Sequence, residues 1–303
     1  MVKFILCRPQ GGLNDMLGEI ERCCLYAEKF QRAVIVDTAF KNSMSFWETF
    51  SKYFISKSRA LMLDAAPLFP QLEKMSVYPA SAKGVLHSYA CPWVNGKQSI
   101  VGADGTATKL TFDFGKDYAE DLLLHQHYGG STLAQRLHRR LRLHDSLVDE
   151  LTIRLLHIGG TFTGVHVRHT DMKSDYQSVI EKLRVNPPQK LFIATDNQQV
   201  VADFKKAFGA DNIFSFATLP APTDESLHEK HHEGISRERL NRDAILDLFT
   251  LAFATELQIA DRLPKAPGAM SGFAKLAKHL NETPEALNAW VARPYLMKQN
   301  AAM

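Results

Sequence analysis

Cysteine is scarce in this chain of 303 residues, and there is little excess of charge of either sign. The four cysteines (Cys7, Cys23, Cys24 and Cys91) include no CxxC pair and lack the spacing of a disulfide framework. This usage is typical of a protein from a reducing cytoplasm. The net charge of +3, without arginine-rich tracts, excludes a strong polyanion-binding surface, so we expect no nucleic-acid partner.

Long apolar runs are absent as well. No run approaches the ~18 consecutive apolar residues that are typical of a transmembrane helix. Met1 to Cys7 are too few to form the apolar core of a signal peptide, and they continue into a folded-looking segment. We therefore expect a cytoplasmic protein without a transmembrane segment. If it acts on a membrane-bound molecule, it would do so as a peripheral protein at the inner face.

The chain does contain a composition typical of globular proteins and a repeated alternation of strands and helices. Hydrophobic residues make up 45% of the chain and charged residues 23%. Apolar runs predict strands at Lys3–Cys7 and Ala33–Asp37, and apolar spacings of three or four predict a helix from Met16 to Arg32 between them. This βαβ unit indicates a parallel sheet with a right-handed crossover.

The second half of the chain continues the alternation. It predicts, in order, strand Thr163–Val167, helix Tyr176–Leu183, strand Lys190–Ala194, helix Gln198–Phe208, strand Asn212–Phe216, helix Leu240–Ala254, strand Gln258–Ala260 and helices from Ser271 and from Asn281 onward. The polar segment Thr218–Arg239 predicts a mobile loop. The middle of the chain predicts only a short strand at Tyr89–Val94 and a basic amphipathic helix at Ser131–Leu151. Because the chain exceeds most single cores, we predict an α/β fold of two doubly wound domains, residues 1–150 and 151–303.

The strand Thr163–Val167 ends in a cluster of charged side chains. Arg168 follows it with Asp171 three residues on, Asp196 follows the next strand, and Ser271 begins a later helix. Ligands of open α/β sheets bind beyond the carboxyl ends of the strands, so we expect these groups to line one rim. An arginine there suits an anion such as phosphate, since its planar fork donates two parallel hydrogen bonds. The alternative is that the two aspartates cap the helices that follow them.

The pair Gly11-Gly12 lies between the first strand and the first helix. Such a turn lets a ligand approach the backbone and the helix N-terminus. The pair lacks the full GxGxxG spacing of a dinucleotide site, and a tight turn that needs a positive φ is an equally good interpretation.

Asp247 lies among apolar residues of a predicted helix, one turn after Asp243. A buried carboxylate needs a partner, and Arg242 and Arg168 are the candidates. A structural ion pair and a role in a site are equally consistent with this pattern.

One histidine-rich cluster contains His228, His231 and His232, with Glu229 and Glu233. Its spacing is not HExxH, and it lies in a charged, loop-like segment. We therefore predict no metal site.

Four segments, in order along the chain, resemble blocks of one enzyme family. Arg8 to Asp15 resembles a Gly-Gly-Leu-Gly-Asn-Gln block, and Gly164 to Asp171 resembles a His-Val-Arg-Arg-Thr-Asp block. Phe192 to Asn197 resembles an Ala-Thr-Asp-Asp block, and Arg242 to Leu248, with Ser271-Gly272-Phe273, resembles a third donor-site block. The family is the fucosyltransferase superfamily of GT-B type, which includes the rhizobial nodulation fucosyltransferase and the α1,6-, α1,2- and protein O-fucosyltransferases.

The resemblance implies a GT-B-like fold, with two Rossmann-like domains facing each other across a cleft. It also implies an enzyme of glycan biosynthesis, an inverting and metal-independent glycosyltransferase that moves fucose from GDP-fucose to a glycan or lipid-linked saccharide. The GDP-sugar is a co-substrate, so no cofactor is implied. Its binding residues would be Gly11, Gly12, Asn14, His166, Arg168, Asp171, Asp196, Arg242, Asp247, Ser271 and Gly272.

The resemblance also implies roles in the reaction. Arg168 would hold the β-phosphate and stabilise the leaving GDP, in agreement with its own chemistry. Asp175 is the candidate for the base that takes the acceptor proton, and Asp15 is the alternative.

The segments depart from the family pattern at several positions. His169 stands where many members have a second arginine, Asn197 replaces the second aspartate, and the glycine block lacks its third glycine. These differences bear on fucose more than on a GDP-linked donor. The alternatives are a glycosyltransferase that uses another nucleotide sugar and an inactive homologue that binds a nucleotide or a glycan.

Overall fold

The computed structural model describes residues 2–94, 97–101, 105–129, 131–221, 223–227, 229–263 and 270–292. The chain divides into two units, Met1–Arg142 and Leu143–Met303. This boundary precedes the predicted one at residue 150, because the helix that contains Glu150 packs within the second unit. Within the described residues, no helix is both long enough and apolar enough to cross a membrane.

The first unit is built on a parallel sheet. In chain order its elements are β1 (Lys3–Gln10), α1 (Leu13–Lys29), β2 (Arg32–Val36), β3 (Phe54–Ser56), β4 (Leu61–Met62), α2 (Phe69–Leu72), β5 (Val77–Tyr78), β6 (Trp93–Val94), β7 (Lys97–Val101), β8 (Ala107–Lys109), β9 (Leu122–Tyr128) and β10 (Leu141–Leu143), the last of which ends on the first residue of the second unit. The main sheet has the order β4-β2-β1-β9-β5, and every neighbouring pair in it is parallel. A separate antiparallel sheet contains β6, β7 and β8.

The elements β1, α1 and β2 form the predicted βαβ unit. Ile5, Leu6 and Cys7 are fully buried, because β1 has a neighbouring strand on each side. The helix α1 begins at Leu13, earlier than predicted, because Gly12 has an extended backbone and takes the N-cap position. The turn between β1 and α1 therefore contains only two residues, both glycines.

The predicted helix Ser131–Leu151 is wrong. The chain instead forms a 3₁₀ helix at Thr132–Arg139, then β10, and then α3 (Asp145–Ile158). His144 has an extended backbone and caps α3, which separates this helix from β10. Arg140 pairs with two glutamates of α1 at 2.6 Å each, so one of the basic residues that suggested an exposed helix face binds another element instead. The other strand predicted for the middle of the chain shortens to β6.

The second unit is also an α/β structure. After α3 its elements are β11 (Thr163–Val167), α4 (Tyr176–Val185), β12 (Leu191–Thr195), α5 (Gln198–Phe208), β13 (Ile213–Phe214), α6 (Arg237–Ala252), β14 (Glu256–Ile259), α7 (Gly272–Glu282) and α8 (Pro284–Val291). The strands lie in the order β13-β12-β11-β14 and are all parallel. The predicted alternation is thus confirmed, with the ends of most elements shifted by a few residues.

Two further predictions concern the ends of this unit's helices. The described residues between Thr218 and Ser236 form no helix or strand, and α6 begins at Arg237. The predicted helical tail is present as α8, where Trp290 is buried with its ring 5.8 Å from that of Phe249 on α6. The rest of that tail, from residue 293 onward, lies outside the described residues.

Candidate functional site

The charged residues after β11 and β12 lie at one edge of the second unit's sheet, as the sequence predicts. The two strands are parallel, and Val167 is paired with Thr195 at their carboxyl ends. Arg168 and Asp196 therefore follow neighbouring strand ends. This is the edge at which open α/β sheets bind their ligands.

Asp196 organises the loop that carries Arg168. Its Oδ1 accepts a hydrogen bond from the amide of His169 at 2.6 Å, and its Oδ2 accepts one from the hydroxyl of Thr170 at 2.7 Å. Burial raises the pKa of this carboxyl, against the opposing effect of both hydrogen bonds and of Arg168. Asp196 does not cap α5, as the alternative interpretation held, because the Oδ1 of Asn197 accepts the Gln199 amide there at 2.9 Å.

Arg168 is held in one orientation by Asp171. Its Nε donates to Oδ1 of Asp171 at 3.0 Å and its Nη2 donates to Oδ2 at 2.7 Å, which forms a bidentate pair. The Arg168 side chain is 22% exposed, and no described residue accepts a hydrogen bond from its Nη1 group. The guanidinium is therefore both fixed in orientation and open to an anionic ligand. Asp171 orients this arginine and is not the cap that the alternative interpretation proposed.

His166 connects the end of β11 with the start of α7. Its ring stacks on Phe273, in the first turn of α7, with ring centroids 5.0 Å apart. Burial, and secondarily the charge of Arg168, lower the pKa of His166 to about 4, so the imidazole is neutral at pH 7. The histidine thus packs as an aromatic ring beside the arginine loop.

The N-terminus of α7 has the properties of an anion site. Ser271 is the N-cap, and its hydroxyl accepts the amide of Ala274 at 3.1 Å, while Gly272 is the first helical residue. The remaining amides of the first turn and the positive end of the helix dipole favour a negative group. The stacking of Phe273 on His166 places this helix start next to the end of β11.

Asp175 is the N-cap of α4. Its Oδ1 accepts the amide of Ser178 at 3.2 Å and its Oδ2 accepts the hydroxyl of Ser178 at 2.7 Å. Both oxygens are thus engaged by the helix that follows. A capping carboxylate of this kind stabilises the helix start, and the arrangement makes Asp175 a weaker candidate for a base.

The carboxylates of α6 bind a residue that the sequence pattern did not suggest. Arg154 of α3 donates to Oδ1 of Asp247 at 2.9 Å and to Oδ1 of Asp243 at 3.0 Å, and all three side chains are buried. The predicted partners are wrong, because Arg242 pairs with Glu150 instead. Burial raises the pKa of Asp247 to about 7, aided by Asp243 and opposed by Arg154. The structure thus contains the ion pair that the sequence left as one of two alternatives.

In the first unit, the glycine turn brings α1 against the end of β9. Gly11 has a φ of +95°, as the tight-turn interpretation requires, and its amide donates to the hydroxyl of Ser45 at 3.1 Å. A Cβ atom on Gly11 would lie 3.3 Å from Oδ2 of Asp15 and 3.3 Å from the ring of Tyr128. Asn14 is buried beside this carboxylate, with its Nδ2 3.5 Å from Oδ1 of Asp15. Gly11, Asn14 and Asp15 therefore form one loop at the carboxyl edge of the first sheet.

The comparisons with known proteins concern the fold. No protein-family model matches the chain, and no curated protein matches its sequence. The solved structure of the NodZ alpha-1,6-fucosyltransferase soaked with GDP-fucose is 15% identical, with a TM-score of 0.58 over 92% of this chain and 93% of that one. NodZ from Bradyrhizobium is 16% identical, with a TM-score of 0.57 over the same shares. POFUT1 in complex with GDP-fucose is 11% identical, with a TM-score of 0.50 over 92% of this chain and 94% of that one.

The chain has a fucosyltransferase fold. The α/β, GT-B-like class predicted from the sequence is thereby confirmed. Within this fucosyltransferase fold, Arg168, Asp171, His166, Asp196, Ser271 and Gly272 come together at the carboxyl edge of the second unit's sheet. Asp247 and Arg242 belong instead to ion pairs with α3.

The histidine-rich segment of this fucosyltransferase-like chain forms no metal cluster where the structure describes it. His228 lies outside the described residues, and among the described ones no three His, Cys, Asp or Glu side chains are grouped to hold a metal ion. His232 is partly buried, and burial lowers its pKa, so the neutral ring is favoured.

Sequence reasoning missed two arginines with structural roles. Arg154 lies beyond the predicted helix Ser131–Leu151, and the contact that matters joins it to α6 across a sequence separation of 93. Arg8 is fully buried, bound to Asp37 at 2.7 Å and stacked over Phe40 at 3.7 Å. The resemblance included Arg8 in its first block without giving it a role, and this burial makes it a structural residue.

Proposed function

We propose that the chain is a glycosyltransferase that transfers fucose from GDP-fucose to a saccharide acceptor, with inversion and without a metal. The observation that carries this proposal is the guanidinium of Arg168, fixed by Asp171 just after β11, on a strand whose His166 stacks on Phe273 in the first turn of α7. The support from the comparisons is that fucosyltransferases of this fold have been solved with GDP and GDP-fucose.

In this proposal, Arg168 binds the β-phosphate of the donor. Its bidentate pair with Asp171 leaves the Nη1 edge directed away from that carboxylate and ready to donate to a phosphate oxygen. The amides of Gly272 and Phe273 provide further donors for the diphosphate. As the bond between fucose and GDP breaks, these groups stabilise the charge that develops on the leaving group. They supply the positive charge that a metal ion supplies in other transferases, which is why we propose metal-independent transfer.

The neutral state of His166 fits this role. A neutral imidazole stacked on Phe273 fixes the distance between the arginine loop and the helix start without adding a charge that titrates near pH 7. Asp196 holds the same loop by accepting hydrogen bonds from the His169 amide and the Thr170 hydroxyl. We therefore assign Arg168 as the group that contacts the donor and His166, Asp171 and Asp196 as groups that position it.

The base is proposed to be Asp15 of the first unit. An inverting transfer needs a group that takes the proton of the acceptor hydroxyl. Asp175 has both oxygens engaged by Ser178, whereas Asp15 lies in the first turn of α1 beside the turn at Gly11. The acceptor is proposed to be a glycan or lipid-linked saccharide, and the location to be the cytoplasm.

The test measures donor binding and hydrolysis. Saturating GDP, at ~100 times its Kd, should raise the melting temperature by roughly 5–10 °C, because a ligand that binds only the native state stabilises it. GDP-fucose should be hydrolysed slowly in the absence of an acceptor. Arg168→Ala should abolish the thermal shift and lower turnover roughly 100-fold or more. Arg184→Ala, at an exposed position of α4 in the same unit, is the matched control and should behave as the wild type.

Three outcomes discriminate the alternatives. A larger thermal shift with UDP or ADP than with GDP would favour a transferase for another nucleotide sugar. Binding of GDP-fucose without any turnover, in the presence of a saccharide panel, would favour an inactive homologue. If neither GDP nor GDP-fucose changes the melting temperature at millimolar concentration, the proposal fails.

A further inference from the structure

The first unit carries more positive charge than the chain as a whole. Residues 1–142 contain 18 Lys and Arg against 13 Asp and Glu, a net charge of +5, whereas the whole chain has +3. Seven of these cations come from two segments, 49–63 and 122–142, which contain no aspartate or glutamate. The small net charge of the whole chain therefore conceals a local concentration of positive charge.

The fold brings these two segments together. β3 and β10 form a two-stranded sheet, and just beyond β3 the amide of Lys57 donates to the carbonyl of Arg140 at 2.7 Å. The Nζ of Lys57 donates to the carbonyl of His138, also at 2.7 Å. Burial, and secondarily the charge of Arg142, lower the pKa of Lys57, as expected of two cations that lie close together. We call the resulting cluster the basic face, and its members are Lys57, Arg59, Arg136, Arg139 and Arg142.

The charge of the basic face is accessible and only partly balanced. Four of its five members are exposed. Within the described residues, neither Arg59 nor Arg139 forms an ion pair. Two carboxylates approach from α1, Glu21 and Glu28, and both are bound by Arg140, which lies beside the face. The nearby acidic groups are therefore already paired, and the face keeps an excess of positive charge.

The apolar side chains around the basic face are buried. Leu137 and Leu141 are fully buried, and Ala134 is buried with them. Among the described residues, none of the exposed large apolar side chains lies in segments 49–63 or 122–142. The face can therefore attract a ligand by charge, but it offers no apolar group that would insert into one.

An anionic membrane surface fits these properties better than a nucleic acid does. Charges that are exposed to solvent are screened beyond about 8 Å at physiological ionic strength, so a membrane responds to the face turned towards it and little to acidic residues elsewhere in the chain. Anionic headgroups attract each Lys or Arg that lies near the surface. Proteins that bind single-stranded nucleic acids add aromatic rings on which bases stack, and the basic face has no aromatic member.

We propose that the basic face binds the anionic headgroups of lipids at a membrane surface and holds the protein there by charge alone. This proposal does not depend on the fucosyltransferase function proposed above. If both hold, adsorption would bring the enzyme to the surface at which a lipid-linked saccharide is found.

The test measures sedimentation of the full-length protein with vesicles of one part phosphatidylglycerol to two parts phosphatidylcholine. The wild type should bind these vesicles and should not bind vesicles of phosphatidylcholine alone. Each Lys or Arg near the surface strengthens partitioning roughly fivefold, so the triple variant Arg59→Gln, Arg136→Gln, Arg139→Gln should bind roughly 100-fold more weakly. Salt at about 0.5 M should release the wild type, because binding rests on exposed charges.

A second triple variant is the matched control. Lys41→Gln, Lys74→Gln, Lys83→Gln removes the same charge from exposed positions of the same unit outside the basic face. It should retain most of the wild-type binding. Both triple variants should keep the wild-type melting temperature, which shows that they fold. The single variant Arg139→Glu provides a second measurement and should weaken binding roughly 25-fold, since it changes the charge by two.

Several outcomes would overturn the proposal. Equal losses in the two triple variants would show that net charge acts and the basic face does not. Binding to vesicles of phosphatidylcholine alone, or binding that persists at high salt, would exclude attraction by charge. Tighter binding to single-stranded RNA than to vesicles, at the same concentration of phosphate, would assign the face to a nucleic acid.

The outcomes are separate from those of the proposed function. The thermal shift with GDP should persist in the Arg59, Arg136, Arg139 variant, because these residues belong to the first unit and the proposed donor residues to the second. Vesicle binding without any response to GDP would leave the basic face assigned and remove the transferase. A response to GDP without vesicle binding would do the reverse.

Discussion

Arg168 shows how a single residue acquires a binding function from its neighbours. An exposed arginine is usually mobile, and ordering its side chain opposes any contact that it makes. Here Asp171 holds the guanidinium in a bidentate pair, while Asp196 fixes the backbone of the intervening loop. The sequence identified all three charged residues as candidates. It did not show that Arg168 is the one placed to contact a ligand while Asp171 and Asp196 hold it in position.

Asp171→Asn tests whether Asp171 orients Arg168 for ligand binding. The amide can accept from only one side of the arginine fork and carries no charge, so Arg168 should lose its fixed orientation. We expect the affinity for GDP to fall roughly tenfold, which corresponds to about 1.4 kcal/mol, while the fold is retained. Calorimetric titration measures this change. Asp211→Asn, at an exposed position of the same unit, is the control, and equal GDP affinity in both variants would contradict the assignment.

The lowered pKa of His166 predicts that the free energy of unfolding depends on pH. Its pKa is lowered from 6.5 to about 4 in the folded protein, so the unfolded chain binds more protons between these values. The stabilisation is therefore complete above pH 6.5 and is lost as the pH falls towards 4. We expect this residue alone to lower the free energy of unfolding by about 2 kcal/mol between pH 7 and pH 4.5.

The measurement compares urea unfolding of the wild type and of His166→Phe at both pH values. The phenylalanine keeps the ring stacking and cannot be protonated, so its loss of stability should be smaller than that of the wild type by this amount. Asp247, whose raised pKa acts in the opposite direction, is present in both proteins and cancels from the difference. An identical pH dependence of the two proteins would show that His166 is not buried in its neutral form.

At the scale of elements, α3 and α6 are joined by a buried polar network. Arg154 of α3 binds Asp243 and Asp247 of α6, and Asp243 also accepts the backbone amide of Thr218 at 2.8 Å. The network explains why an apolar helix tolerates two carboxylates one turn apart. It also joins the start of the segment that precedes α6 to the helix itself.

Arg154→Met should be strongly destabilising. It leaves the buried Asp247 without its cation, while Asp243 keeps Arg239 at 2.7 Å. Removal of one member of a buried ion pair typically costs about 3–5 kcal/mol. Arg242→Met is the matched control: this residue pairs with Glu150, both side chains are about one-third exposed, and surface pairs contribute roughly 0–1 kcal/mol. Chemical denaturation measures both. Equal losses of stability would mean that the network does not hold α3 against α6.

Whole elements were largely predictable, and the failures have a common cause. The strand Thr163–Val167 and the helix Gln198–Phe208 were predicted with the bounds that the structure has, because their apolar patterns match one period throughout. The segment Ser131–Leu151 has leucines at helical spacing, but its buried leucines, from Leu137 to Leu151, lie in three successive elements. A local apolar pattern indicates which residues are buried, but it does not show where one element ends and the next begins.

At the scale of the whole molecule, the groups proposed to hold the donor all belong to the second unit. The edge of that unit's sheet presents a cation and a helix N-terminus, which suit a diphosphate.

Hydrogen exchange can locate the donor. GDP should give its largest protection at residues 168–171 and at the first turn of α7, because those amides would be covered by the diphosphate or tied to the arginine loop. Mass spectrometry of exchanged peptides measures this protection, and protection by GDP that leaves 168–171 unchanged would contradict the donor site.

By itself, the sequence determined the α/β class, the alternation of strands and helices and the strand-end arginine, because these follow from local periodicity and from the chemistry of single residues. The tertiary structure decided which partner each charged group takes. Arg154 pairs with Asp247 and Arg242 pairs with Glu150, both across long stretches of chain. Such pairings depend on how sheets and helices pack, and the free energy of a buried contact is set by its three-dimensional surroundings rather than by its neighbours in sequence.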